Sequence, residues 1–517
     1  MLTQRVTSPR ESFTAAVASA PLHTLLLPAL AGFLTGIPWL NFSLYPLAWI
    51  AFVPLLYGLT KVRSGREGLW LGFVAGMAAN VPAFYWLVYT IHVFGGFPYP
   101  IAIFFYACLS AFSAMQLVLF AAGFRLLSFG PLGLAAPMLW VTLEFLYPNL
   151  FPWHMANSQL ELPVLLQVGD ITGPYGLSFV MVWFSAALLL ALQKPRRSYP
   201  LVAAVAALLL VVGYGVRRQP QVQAAIDAAP ALRVGLIQGN VGIREKGNAA
   251  FFDINIEKYR TLSRAVQDEA DLLIWPESVA HTWVPTGARY LTEDEHPFRD
   301  LRTYLIFGGL AYSDDGRGNQ ARFNSAFLID GSGKVFGRYD KQVLLPFGEY
   351  LPGASLFPSL MELSPQTGEF TSGEELTTLD VPGRVRFAPL ICYEDVPAGI
   401  ARSMTQGGAQ ALLTIFNDAW FGDSMAPYQH EAIALWRAIE NRRYFVRVGN
   451  AGATGTIDPL GHVVERLGLF TAESLTAEIR PLNLETFYTR RGDVFGWTVV
   501  VVAGLWLVGA AAVRPRA

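Results

Sequence analysis

A chain of 517 residues that is 53% hydrophobic and only 15% charged is too long for one ordinary domain and too apolar to be wholly water-soluble. A formal net charge of -1 gives no polybasic surface, which excludes a nucleic-acid-binding reading. The two cysteines, Cys108 and Cys392, fit neither a disulfide framework nor a CxxC or Cys/His metal spacing, so at least one is a free thiol.

From the N-terminus, apolar runs of membrane-spanning length follow one another: Thr24 to Leu40, Ser43 to Thr60, Leu69 to Ile91, Ile101 to Phe124, Leu132 to Pro148, Thr172 to Leu192 and Tyr199 to Val216. Glu144 is the only charge in any of them, which makes it a functional candidate unless it reaches the interface from near its span's outer end. Another run, Val494 to Val513, closes the chain. The first run is followed at once by more spans and reads as an uncleaved membrane segment. Cys108 lies within the fourth run without polar company and reads as a packing residue.

Short cytoplasmic loops collect Lys and Arg. Arg5 and Arg10, Lys61, Arg63 and Arg66, Arg125, Lys194, Arg196 and Arg197, and finally Arg514 and Arg516 all fall on one side of the spans. The loops His92 to Pro100 and Asn149 to Ile171 contain no Lys or Arg and belong on the other. Both termini are then cytoplasmic, and the segment from Arg217 to Asp493 is extracytoplasmic; the Arg217-Arg218 pair dissents, but a large translocated domain overrides it. In a bacterium with two membranes the chain belongs to the inner membrane and the segment to the periplasm. Tyr99 and Trp153, near the outer loops, are expected to anchor at lipid headgroups.

This segment, taken as 219–493 between a membrane domain at 1–218 and a last span with its tail at 494–517, opens with a Gln/Ala/Pro-rich linker, Gln219 to Pro230. Strand-type runs follow at 232–238, 272–275, 305–307, 325–329, 385–391, 412–416 and 445–448. Several are apolar throughout, as strands covered on both faces are. Residues 255–270 and 426–442 read as amphipathic helices and 330–333 as a hairpin turn, so the class is α/β.

Glu277, Lys341 and Cys392 stand at the ends of strand-like runs, where α/β folds place their sites. A thiol of ordinary pKa is a modest nucleophile at neutral pH and needs a base or a nearby cation. Glu277 supplies the first, Lys341 the second and the stabilisation of an oxyanion. Asp395, next after Glu394, reads as a turn or cap residue. The seven histidines show no metal-ligand spacing, and this chemistry needs no metal or other cofactor.

The sequences WPES around Glu277, YDKQVLLPFGEY around Lys341 and ICYED around Cys392 resemble, in order and in flanks, the Glu-Lys-Cys triad of the nitrilase superfamily. Seven spans before such a domain and one after it resemble the apolipoprotein N-acyltransferase branch. LPFGEYLP at 345–352, FNDAWFG at 416–422, RAIENRR at 437–443 and FPW at 151–153 stand where that family has them. The resemblance implies a multi-pass α-helical membrane domain joined to an αββα sandwich. It also implies Glu277 as general base, Lys341 as oxyanion stabiliser and Cys392 as acylated nucleophile, with Glu349, Glu394 and Tyr393 in support. Its reaction is ping-pong: a phospholipid, usually phosphatidylethanolamine, acylates the cysteine, and the α-amine of a diacylglyceryl-cysteine on an apolipoprotein takes the acyl group. Both substrates sit in the bilayer, so the site must face it. Trp420 and Phe421 then become candidates for an apolar, substrate-binding mouth, with core packing as the alternative. The rival enzyme is a membrane-tethered amidase using the same triad; the rival of another class is a transporter or lipid-binding scaffold, which the near absence of charge within the spans disfavours.

Overall fold

The computed structural model describes residues 22–194, 196, 198–246, 249–280, 282–314, 320–346, 348–350 and 370–513. Arg5, Arg10, Arg197, Phe347, Leu351, Pro352, Arg514 and Arg516, on which the expectations above also drew, lie outside that set.

Every expected span falls on an apolar helix, but not all are straight, full-length rods. Phe42–Lys61, Tyr99–Leu127, Tyr175–Gln193, Tyr199–Ala228 and Val494–Ala512 are long and apolar enough to cross a membrane. The third expected span is broken into Gly65–Ala83 and Leu87–Val93, bent by 61°. Pro82 lies in the last turn of the first piece, where it removes a backbone donor and crowds the preceding turn. Thr24–Leu40 and Pro131–Leu146 are shorter apolar helices. Two Gly-x-x-x-Gly pairs let the first helices meet backbone to backbone. A Cβ on Gly36 would stand 2.6 Å from the Ala79 carbonyl oxygen, and one on Gly76 would stand 2.5 Å from Ala114 Cα.

Cys108 is exposed on the Tyr99–Leu127 helix, not packed between helices as expected. Tyr99 is exposed, whereas Trp153 is buried. The Trp153 ring stands edge-on to Trp39 at 5.6 Å and to Phe84 at 6.3 Å, so it is enclosed in an aromatic cluster and not presented on the surface as an anchor would be.

Among the described residues thirteen strands form the sandwich: β1 (Leu232–Gln238), β2 (Leu272–Ile274), β3 (Trp283–Pro285), β4 (Tyr304–Asp314), β5 (Gln320–Ile329), β6 (Val335–Asp340), β7 (Leu379–Val381), β8 (Val385–Ile391), β9 (Ala411–Phe416), β10 (Phe445–Gly449), β11 (Gly455–Ile457), β12 (Val463–Arg466) and β13 (Glu473–Ile479). One sheet runs β13-β1-β2-β4-β5-β6, with β3 also on β4, and the other runs β12-β11-β10-β9-β8-β7. Side chains alternate between the faces. Leu272, Ile274, Ile306, Ala326 and Leu328 point to the core shared with Phe387, Ile391 and Leu413 of the second sheet. Leu273, Leu305, Phe307, Phe327 and Ile329 point outward to Tyr259 of the amphipathic Phe252–Val266 helix. Burial of both faces is why these strands are apolar throughout. Ala398–Gln406 and Ala426–Asn441 pack on the second sheet, which completes the four layers. The 330–333 turn forms as expected, with Gly333 at φ +77 and Asp330 Oδ1 accepting from the Ser332 and Lys334 N–H groups.

The stretch expected as a linker is instead mostly helical. Tyr199–Ala228 is one helix, because the Gln and Ala of 219–228 are good helix formers and Val222 and Ile226 are buried. A buried ionic joint fixes the sandwich to the membrane domain. Arg442 donates to Asp170 Oδ2 from Nε at 3.0 Å and Nη2 at 2.8 Å, Arg218 Nε donates to the same oxygen at 2.8 Å, and Tyr214 donates to Oδ1 at 2.6 Å. Asp170→Ala leaves two guanidinium groups without their carboxylate and is expected to cost about 3–5 kcal/mol, read as a lower thermal midpoint in detergent.

Candidate active site

The glutamate comes from the end of β2. Trp275 still donates to the Ile306 carbonyl, Pro276 has no N–H to continue the ladder, and Ser278 turns the chain at φ +50. Glu277 is thereby lifted out of the sheet, with its backbone pressed on Gly308 of β4. A Cβ on Gly308 would stand 2.5 Å from Ser278 N and 2.6 Å from Glu277 Cα. Gly308→Ala is therefore expected to cost about 1–3 kcal/mol as overpacking and to displace Glu277, so that turnover falls more than the thermal midpoint explains.

Lys341 follows β6 and is 1% exposed. Its Nζ lies 2.9 and 2.8 Å from the two Glu349 oxygens and 3.7 Å from Glu277 Oε1. Asn324 Nδ2 bridges the carboxylates, donating to Glu277 Oε1 at 2.8 Å and to Glu349 Oε1 at 3.1 Å. Burial works against the Lys341 charge, but Glu349 and Glu277 outweigh it and raise the pKa above that of an ordinary lysine. Lys341 is a fixed cation.

Cys392 follows β8 and opens the Cys392–Asp395 turn at φ +54, a strained conformation for a non-glycine residue. Glu394 holds that turn. Its Oε2 accepts the Ile391 N–H at 2.8 Å, while Oε1 accepts Tyr339 OH at 2.9 Å and the Gln342 and Val343 N–H groups at 2.6 and 3.0 Å. One buried carboxylate thus bolts the cysteine turn to the backbone just after Lys341. It positions that lysine's loop without touching its ammonium. Burial first, then Glu277, push the Cys392 thiol well above its usual pKa; Lys341 opposes them, and Asp418 and Glu349 add to the rise. The resting group is a thiol, and ionising it requires a base.

Tyr393 points away from this cluster. Its hydroxyl donates to the Leu150 carbonyl at 2.7 Å and its ring stands edge-on to Phe151. Trp420 and Phe421 also turn toward the membrane helices and not into the sandwich core. Trp420 meets Phe94 at 4.5 Å, and Phe421 meets Trp86 at 4.8 Å. Phe421 lines a narrow cleft with Trp39, Phe84, Trp86 and Phe151. The residues around the thiol therefore rest on the ends of the apolar helices nearest the sandwich.

Two residues differ from the sequence reading. Asp395 is no mere turn residue: wholly buried, it lies 2.7 Å from His430 Nε2 and 2.6 Å from Arg447 Nη1. Glu144 does not reach the interface; buried, it accepts from Trp140 Nε1 at 2.6 Å and the Met155 N–H at 2.7 Å, and so holds the loop after its helix. Two further site residues had escaped notice. Asn324 interrupts the apolar run of β5 with a polar side chain, which was its available signal. Lys246 donates from Nζ to the Glu277 carbonyl oxygen at 2.7 Å, and burial lowers its pKa to about 8 against the pull of Glu277 and Cys392. Nothing in its flanking residues marks it. Among the described residues no group of three or more His, Cys, Asp or Glu side chains is arranged to hold a metal ion.

Residues 31–187 match the family model described as apolipoprotein N-acyltransferase N-terminal domain, and residues 233–487 match the one described as carbon-nitrogen hydrolase. The chain is 35% identical over 518 residues to a Geobacter metallireducens protein named apolipoprotein N-acyltransferase, with 96% of each chain covered. It is 32% identical over 520 residues to a Pseudomonas paraeruginosa protein of the same name, covering 96% of this chain and 97% of that one. Among solved structures it is similar to a Saccharomyces cerevisiae member of branch 10 of the nitrilase superfamily. That match has 20% identity and a TM-score of 0.36, and covers 51% of this chain and 94% of the other.

Proposed function

Because this chain belongs to the apolipoprotein N-acyltransferase family, we propose that it carries an acyl chain from a bilayer phospholipid, phosphatidylethanolamine-like, to the α-amine of a diacylglyceryl-cysteine, through a thioester on Cys392. Glu277 takes the thiol proton as sulfur attacks the ester carbonyl, and the Lys341 ammonium stabilises the oxyanion. The intermediate expels the lysophospholipid oxygen, which leaves with the proton held by Glu277. The acceptor amine, in its neutral form, then attacks the thioester. Glu277 takes a proton from that nitrogen and returns it to the departing sulfur. Glu349 keeps Lys341 charged, Glu394 keeps the lysine loop and the cysteine turn in register, and Tyr393, Trp420 and Phe421 shape the mouth toward the bilayer. No step calls on a cofactor.

The observation that carries this reading is the meeting of Glu277, Lys341 and Cys392 in a buried cluster whose surrounding loops rest on membrane helices. Gly348 lies beside Phe94, Tyr393 is bonded to Leu150, and Trp420 is bonded through its carbonyl to Thr90. Soluble substrates need no such mouth. The same reading puts residues 1–218 and 494–517 in the inner membrane with both termini cytoplasmic, and 219–493 in the periplasm.

The test is a two-substrate assay in detergent. Phosphatidylethanolamine with a labelled acyl chain and a diacylated lipopeptide with a free α-amine are expected to yield labelled amide and one lysophospholipid per transfer. A lipopeptide whose amine is already blocked should take no label. Hydrolysis of amides, without lysophospholipid release, would favour the membrane-tethered amidase instead.

A further inference from the structure

Two fully buried carboxylates on the turns beside the thiol, Asp395 and Asp418, have no task in the acyl transfer. β8 and β9 are parallel neighbours, with Ile391 opposite Ile415, so the turns leaving their C-terminal ends lie side by side. The first bears Cys392 and Asp395, the second Asp418, Trp420 and Phe421. His430 of the Ala426–Asn441 helix stands between them. Its Nε2 lies 2.7 Å from Asp395 Oδ1 and its Nδ1 lies 3.1 Å from Asp418 Oδ1. Both carboxylates are fully buried and the imidazole is 7% exposed. A carboxylate has no hydrogen to give, so two carboxylates facing the two ring nitrogens hold His430 as an imidazolium. Arg447 Nη1 binds the other Asp395 oxygen at 2.6 Å, which makes the set of two acids and two cations neutral. Asp418 Oδ2 has no partner among the described residues, so His430 is the cation that balances Asp418.

We propose that His430 is a positioning residue for acyl transfer: as an imidazolium it ties the Cys392 turn to the Asp418–Phe421 turn and cancels the Asp418 charge beside the thiol. This rests on Cys392 being the nucleophile. Burial opposes the His430 charge, yet Asp395 and Asp418 raise its pKa to about 9, so the cation persists through the neutral range. Glu277, Lys341, Glu349 and Lys246, from four further segments, also act on the thiol, and among the described residues the His430 ring is bonded to none of them. Loss of the imidazolium therefore leaves Asp418 as an uncompensated anion near the sulfur and makes the thiol harder to ionise. Neutralising Asp418 does the reverse. A residue that only fills space predicts neither sign.

The experiment measures iodoacetamide alkylation of Cys392 against pH in the full chain in detergent, carrying Cys108→Ala so that one thiol remains. His430→Gln is expected to raise the midpoint by about one pH unit and to slow alkylation at neutral pH about tenfold. Asp418→Asn is expected to lower the midpoint, and the double variant to return close to the parent. Unchanged midpoints in both single variants would overturn the proposal, as would a double variant displaced as far as His430→Gln. If His430→Gln does not fold by its thermal transition, the sign of the Asp418→Asn shift decides alone. Alkylation needs no acyl transfer, so this outcome is separate from the fate of the nucleophile assignment, which fails if Cys392→Ala still transfers acyl chains.

Discussion

Cys392→Ala is expected to abolish acyl transfer completely, with neither lysophospholipid release nor N-acylated product, while the protein remains folded. The chemical loss is total because alanine offers no atom to carry the acyl group, and in the proposed transfer both half-reactions pass through that sulfur. The structural loss is small. Glu394 grips the turn through the Ile391, Gln342 and Val343 N–H groups, none of which belongs to the cysteine. A thermal midpoint near that of the parent, with no transfer above background, is the expected pair of results. Retention of N-acylation in this variant would remove Cys392 from the mechanism.

Glu277→Gln is the second large effect, and two measurements on it move in opposite directions. Gln keeps the shape of Glu277, and its amide oxygen still accepts from Asn324 Nδ2, but it takes no proton from the thiol. Thioester formation is expected to slow by about 10²–10⁴-fold. The same change removes the second-largest influence holding the thiol protonated, after burial. Alkylation of Cys392 by a small electrophile, which needs only the thiolate, is therefore expected to speed up at neutral pH. A general base predicts slower acylation with faster alkylation. A merely structural glutamate predicts that both fall together.

Much of this architecture was legible in the chain because its physical causes are local. Leu272 to Ile274 and Phe387 to Ile391 are apolar on both faces because both faces are covered, and the spans are apolar because a lipid-facing helix has no other choice. Glu277, Lys341 and Cys392 were legible because each ends a strand inside a distinctive run of neighbours. The misses have local ambiguity or distant partners. The composition of 219–228 suits a linker or a helix, and only the burial of Val222 and Ile226 decides it. Trp153 has the amphipathic character of a headgroup anchor, but Trp39 and Phe84 enclose it. Asp395 reads as a turn residue until folding brings His430, 35 positions away, and Arg447, 52 positions away, against it. Glu394 supports the site as its place beside Cys392 suggests, but only folding shows how, because its partners Tyr339, Gln342 and Val343 lie 51 to 55 positions away.

The central claim is that the acyl chain rests on Cys392 between its two carriers. Intact-mass measurement after incubation with phosphatidylethanolamine, without acceptor, tests it directly. The account predicts one added acyl chain per protein, mapped to the Cys392 peptide, released by neutral hydroxylamine and discharged by a diacylated lipopeptide at least as fast as overall turnover. Acyl transfer proceeding at its normal rate with no adduct at Cys392 would contradict it.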